Sequence, residues 1–257
     1  MSASHQDRVV DQFTKLAGAF ATAAQFTDVQ ALDLLLEKTH ASAKDTSLDV
    51  ACGAGVVACH FARVVALARG IDVTPAMLAK ARERQAQAGL PNIEWDLGDA
   101  ACLPYADASF SIVTSRYALH HMASPAAVLR EMARVCQPGG RIAVADICLP
   151  DDAAGAEAFN RIERLNDPSH VRALTASEWL SAFADAGWPA PSAARYRLEF
   201  PLAGMLRASG MASESIAMVE AEVRSAVAAE QLQGCARLEG DRWVFGYTIA
   251  VWSASKP

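Results

Sequence analysis

Short apolar runs of strand length alternate with amphipathic stretches of helical length through residues 46 to 146. Thr46-Ser47-Leu48-Asp49-Val50-Ala51 is a strand carrying one acid, closed by a turn at Gly53 and Gly55 and followed by the amphipathic run Val56 to Val65. Ala66 to Ile71 is a second strand ending in Asp72. Thr74-Pro75 has the form of a helix cap with proline at the first helical position, and the helix it opens stops at Gly89. A third strand from Asn92 ends in Gly98-Asp99-Ala100, and a fourth from Phe110 leads into Arg116-Tyr117-Ala118-Leu119-His120-His121. The turn Pro138-Gly139-Gly140 then opens a fifth, Arg141 to Asp146. Strands alternating with helices predict a mostly parallel sheet covered on both faces.

Outside this stretch the pattern changes. Residues 8 to 26 mix Phe13, Phe20 and Phe26 with small residues, and Thr27 with Gln30 has capping-box spacing before a helix carrying Leu32, Leu35 and Leu36. Asp151 to Arg172 is rich in charge and holds Asn166-Asp167-Pro168-Ser169-His170, a turn by composition. Thr175 and Glu178 cap a further helix that Gly187 stops. Tyr196 to Phe200 predicts a strand, Ile216, Val219, Val223 and Val227 share one face of a long helix, and Trp243 to Trp252 predicts a strand in the last, antiparallel position of the sheet. The expected architecture is α/β, a Rossmann-like doubly wound seven-stranded sheet with a helical lid. It divides into a leading lid (1–44), a nucleotide-binding core (45–150) and a lid insertion with the closing strands (151–257).

The glycine turn carries the chemistry. A strand that ends in glycines and feeds a helix lets the backbone approach a ligand at the carboxyl edge of the sheet, because glycine has no Cβ in the way. Asp49-x-x-x-Gly53-x-Gly55, Asp72 about twenty residues on, Gly98-Asp99-Ala100, the fourth strand with its exit and the Pro138-Gly139-Gly140 turn follow in order. This series resembles the class I S-adenosylmethionine (SAM) dependent methyltransferases, closely over residues 45 to 150, and the remainder of the chain more loosely resembles the small-molecule branch with the ubiquinone and menaquinone C-methyltransferases. One departure is Ser111 after Phe110, where the family usually has an acid.

The resemblance implies SAM as cofactor, held by Asp49, Ala51, Gly53, Gly55, Asp72, Val73, Met77, Asp99, Ala100 and Ser115. Asp72 would accept both ribose hydroxyls, Asp99 would face the adenine amino group, and the amide of Ala100 a ring nitrogen. Phe20, Arg116, Tyr117, His170 and Arg172 are the candidate substrate-binding residues. Arg116 has a fork that matches either the cofactor's carboxylate or an anionic substrate. Phe13, Phe20 and Tyr117 are also candidates for cation–π contact with a sulfonium. His120 and His121 leave the fourth strand where ligands bind, so either is a candidate general base, the alternative being that the pair orders a loop. Two other readings stay open: Gly53-x-Gly55-x-x-Ala58 with Asp72 also fits an NAD fingerprint, and a SAM-binding protein need not methylate.

Composition narrows the partners. A net charge of −6 disfavours a nucleic-acid substrate and agrees with the small-molecule acceptor that the resemblance implies. Six cysteines without a C-x-x-C pair, and no secretory leader, point to reduced thiols in a cytoplasmic protein with no metal framework. No apolar stretch is long enough to span a bilayer, and nothing in the sequence specifies an oligomeric state.

Overall fold

The computed structural model describes residues 4–22, 29–232 and 234–257. The five core strands form where they are expected: β1 (Thr46–Val50), β2 (Leu67–Asp72), β3 (Ile93–Leu97), β4 (Phe110–Arg116) and β5 (Cys136–Leu149). They pair in parallel in the order β3-β2-β1-β4-β5, which brings every carboxyl end to one edge. The Pro138–Gly140 turn lies inside β5 as an irregularity, where the pairing with β4 jumps from Phe110–Cys136 to Ile112–Arg141.

Two more strands, β7 (Ser192–Pro201) and β9 (Arg242–Ser255), complete the seven-strand path. β9 is antiparallel, as expected of the chain's last strand, but it sits between β5 and β7 and leaves β7 at the edge. Two short strands extend the sheet beyond the expected seven: β6 (Leu174–Thr175) beside β5 and β8 (Ala236–Glu239) beside β9. Both escape a reading by alternation, since β6 is two residues long and β8 is largely exposed.

Helices cover both faces. Strand residues alternate between them, so Leu48 and Val50 pack with α5 (Pro125–Val135) and α7 (Ala176–Asp185). Ile112 and Ala143 face the other way, toward α2 (Val29–Thr39), α3 (Val56–Phe61) and α6 (Ala153–Asn166). α8 (Leu202–Ala208) and α9 (Ser213–Ala228) add Leu202, Leu206, Ile216, Val219 and Val223 to that second core. The Thr175–Glu178 capping box forms in full.

Three local expectations change. α3 ends at Phe61, because the side-chain amide of Asn92 donates to the carbonyls of Ala62 and Val65 and ties off the turn that follows. α4 (Pro75–Ala88) begins after Thr74, but the threonine side chain makes no capping bond; Asp72 accepts the Thr74 N–H instead. α1 (His5–Thr22) spans most of the leading segment, while the Phe20 side chain, Phe26 and the Thr27 cap lie outside the described residues. All six cysteines are free thiols. Among the described residues no helix is long and apolar enough to cross a membrane.

Candidate active site

A cavity of about 410 Å³ opens at the carboxyl edge of the sheet, within the usual range for a small-ligand site. Its floor is the exit of β1. Ala51 and Gly53 take left-handed backbone conformations (φ 55° and 52°), reversing the chain so that it enters α3. A Cβ on Gly53 would meet no atom within 4 Å, so the turn leaves open space there. Gly55 (φ 74°) has a different task, since a Cβ there would lie 2.5 Å from the Trp95 ring and 2.8 Å from Ala81 Cβ. It does not line the cavity. Its absent side chain lets α3 close on α4 and β3.

Three carboxylates follow one another along the wall. Asp49 is buried, and burial pushes its carboxyl up to about 7 against the pull of the Arg116 guanidinium and the Thr114 hydroxyl. Its Oδ1 accepts from Thr114, while Oδ2 is buried with no hydrogen-bond partner among the described residues. An orphaned carboxylate oxygen at a glycine turn fits a ligand that brings an ammonium. Asp72 accepts the N–H of Gly53 and the N–H of Thr74, each at 2.8 Å, so it holds both the glycine turn and the start of α4. Burial raises its pKa, although those two N–H groups oppose the shift. Asp99 accepts the Ala101 N–H at 2.8 Å, folding the loop after β3 so that Asp99 and Ala100 line the far end. Val73 and Met77 line the wall between.

Ser115 does not line the cavity; its hydroxyl donates to the Val50 carbonyl at 2.8 Å within the sheet. The strand period explains this, because Arg116, the next residue, points the opposite way and does line it. Tyr117 also lines it, in a left-handed conformation (φ 53°). The Arg116 guanidinium lies 4.7 Å from the centre of its ring, and its hydroxyl is hydrogen-bonded to that of Tyr196 on β7. Both strand exits that flank the cavity thus turn through a strained non-glycine residue, Ala51 after β1 and Tyr117 after β4.

The two histidines separate here. His121 lines the cavity and His120 does not. Their rings are 4.1 Å apart, in the turn Leu119–His121. His120 Nδ1 donates to Asp146 Oδ1 at 2.6 Å, and Asp146, wholly buried, also accepts the N–H groups of Leu119 and Ile147. Burial alone would lower the pKa of His120, but the charge and hydrogen bond of Asp146 outweigh it and the net shift is upward. His121 is pushed down to about 3 by burial and by the charge of His120, and stays neutral.

His170 and Arg172 do not line the cavity either. His170 is buried behind the pair, its Nε2 donating to Asn160 Oδ1 at 2.8 Å, and burial pushes its pKa far down. Arg172 is at the surface in an ion pair with Glu178. The insertion expected to wall the acceptor side therefore backs the histidines from behind. The wall is built instead by Met122 to Ser124, by Ala127 and Val128 of α5, and by α1.

α1 roofs the site with His5, Gln6, Val9 and Phe13. His5 Nε2 lies 2.7 Å from the His121 carbonyl, which only accepts, so the imidazole donates and latches the helix to the β4 exit. Phe13 sets its edge against the His121 ring at 5.0 Å. Sequence reading singled out Phe13 but missed His5. Nothing local marks His5, because its partner is 116 positions away.

Residues 48–144 match the family model described as a methyltransferase domain. The chain is 35% identical to the uncharacterized methyltransferase YcgJ of Bacillus subtilis, over 66% of its own length and 68% of that protein. The crystal structure of that YcgJ protein superposes with a TM-score of 0.82, covering 89% of this chain and 98% of its own. A demethylmenaquinone methyltransferase of a Mycobacterium species is 33% identical over 52% of this chain and 55% of that one.

Proposed function

Since the chain belongs to the SAM-dependent methyltransferases, we propose that it methylates a small-molecule acceptor at the His121 end of the cavity. The observation that carries this is the single 410 Å³ cavity running from Asp99 and Ala100, past Asp72, Gly53 and Asp49, to Tyr117 and His121 under α1. Roofed in this way, the acceptor end suits a compact molecule better than a polymer, and the net charge of −6 agrees. The demethylmenaquinone named for one relative is a small molecule as well.

In this reading Asp99 and the Ala100 amide hold the adenine, Asp72 accepts the ribose hydroxyls, and Val73 and Met77 pack against the nucleoside. Asp49 Oδ2 takes the ammonium of the methionine moiety, beside the turn at Ala51 and Gly53, and Arg116 takes its carboxylate. When bound, SAM supplies a methyl group already made electrophilic by a sulfonium. The protein then needs chiefly to align the acceptor with it, and good alignment alone contributes roughly 7 to 11 kcal/mol in the best intramolecular cases. Tyr117 and Phe13 border the reacting end with aromatic surface. His121 touches the acceptor and assists its deprotonation, while His120 acts behind it through its ion pair with Asp146.

Purified protein supplied with methyl-labelled SAM and a fractionated metabolite extract tests the proposal. The expected result is label in a small metabolite. Label only in protein or nucleic acid, or none transferred from any extract, overturns it.

A further inference from the structure

The buried chain behind His121 decides which ring nitrogen carries the proton. Ser169 is wholly buried, and its Oγ lies 2.6 Å from Asp167 Oδ1 and 3.2 Å from His121 Nδ1. A carboxylate only accepts, so the one hydroxyl proton of Ser169 is committed to Asp167. The Ser169 oxygen is then left to accept, and His121 Nδ1 must be the protonated nitrogen. The Ser169 N–H also donates to Asp167 Oδ1, at 2.8 Å, which fixes the turn that presents the hydroxyl. His121 Nε2 has no hydrogen-bond partner among the described residues, although the ring lines the cavity.

The neighbouring groups keep this ring neutral. His120 holds its proton on Nδ1 against Asp146, and His170 holds one on Nε2 against Asn160 Oδ1. The Asn160 orientation is itself fixed, since its amide nitrogen donates to the carbonyls of Ala156 and Ala173 and its oxygen accepts the Ala173 N–H. Burial and the positive charge of His120 disfavour a second proton on His121.

We infer that Asp167 and Ser169 are positioning residues that lock His121 in the Nδ1–H form, so that its bare Nε2 selects acceptors bringing an O–H to the methyl donor. This class of acceptor rests on the small-molecule reading above. A lone pair attracts a hydrogen-bond donor and repels an anionic oxygen or sulfur. As the acceptor's O–C bond forms and the C–S bond breaks with its electron pair passing to sulfur, the acceptor hydroxyl proton becomes far more acidic than an imidazolium. It moves to Nε2, and the positive charge lost from the sulfonium reappears on His121.

The test is a long-range proton–nitrogen NMR spectrum of full-length protein labelled with ¹⁵N-histidine, with the His121 signals assigned through His121→Gln. The expected spectrum shows protonated Nδ1 and unprotonated Nε2 at neutral pH. Ser169→Ala should release the tautomer toward Nε2–H and lower several-fold the transfer of label from methyl-labelled SAM into the metabolite extract, with S-adenosylhomocysteine affinity unchanged, and Ser169→Thr should restore both. Nε2–H in the unaltered protein, or an unchanged His121 spectrum in Ser169→Ala, overturns the lock. If Ser169→Ala fails to fold, the spectrum of the unaltered protein decides alone. That spectrum needs no acceptor, so failure of the small-molecule reading is separately visible as label reaching only a polymer. Methyl label found on carbon, nitrogen or sulfur overturns the acceptor class.

Discussion

Individual residues at this site hold the backbone around the cavity, and Asp72 shows it most plainly. Its carboxylate fixes the Gly53 and Thr74 N–H groups, so a truncation to alanine would loosen the turn along with any ribose contact. Asp72→Asn leaves one accepting oxygen for two N–H groups, and the loss of a charge-assisted hydrogen bond should weaken SAM binding by roughly 1.5 to 3 kcal/mol, read by calorimetry, with urea unfolding registering the loosened turn. Gly55 makes the opposite case, a family position whose use here is packing. With φ at 74° and Trp95 2.5 Å from the site of a Cβ, Gly55→Ala should destabilise the fold by roughly 1 to 3 kcal/mol in urea unfolding. Ser111, which stands in place of the family's acid, donates to Asp45 at 2.8 Å and accepts the Thr46 N–H at 3.0 Å, joining the starts of β4 and β1.

At the scale of elements, a polar link ties the roof helix to the β4 exit and an ion pair ties the histidine turn to β5. His5→Ala removes the bond from α1 to the His121 carbonyl, and a typical net value of roughly 0.5 to 1.5 kcal/mol implies S-adenosylhomocysteine release a few-fold to about ten-fold faster in stopped flow. The His120–Asp146 pair ties the histidine turn to β5. His120 is raised from an ordinary value of 6.5, so its share of the stability is complete below that pH and fades as pH climbs through the raised value. Asp146 is lowered from 3.8, so its share is complete above that pH and fades as pH falls through the lowered value. The stability gap between the natural protein and Asp146→Asn should therefore be widest between these two ordinary values, at about 3 to 5 kcal/mol, and should narrow on either side in pH-dependent unfolding.

Across the whole molecule, what was legible in sequence is what local chemistry writes. Apolar strands, glycines in left-handed turns, the Thr175–Glu178 box and the order Asp49, Asp72, Asp99 each leave a short-range signal, and they gave the parallel core and one wall of the cavity. The other wall was not legible because long-range packing decides it. The charged insertion from Asp151 forms α6 and supports the histidines from behind, and only the assembled fold shows that Ser169 meets His121, 48 positions away. Ser115 and Gly55 lie off the cavity lining, through the strand period and the Trp95 contact, neither of which the family positions carry.

The most direct test of the whole arrangement is a crystal structure of the protein with S-adenosylhomocysteine bound. The expected complex has the adenine beside Asp99 and Ala100, the ribose hydroxyls on Asp72, and the sulfur facing Tyr117 and His121. A sulfur turned away from Tyr117 and His121, or a ligand seated outside the cavity under α1, would contradict it.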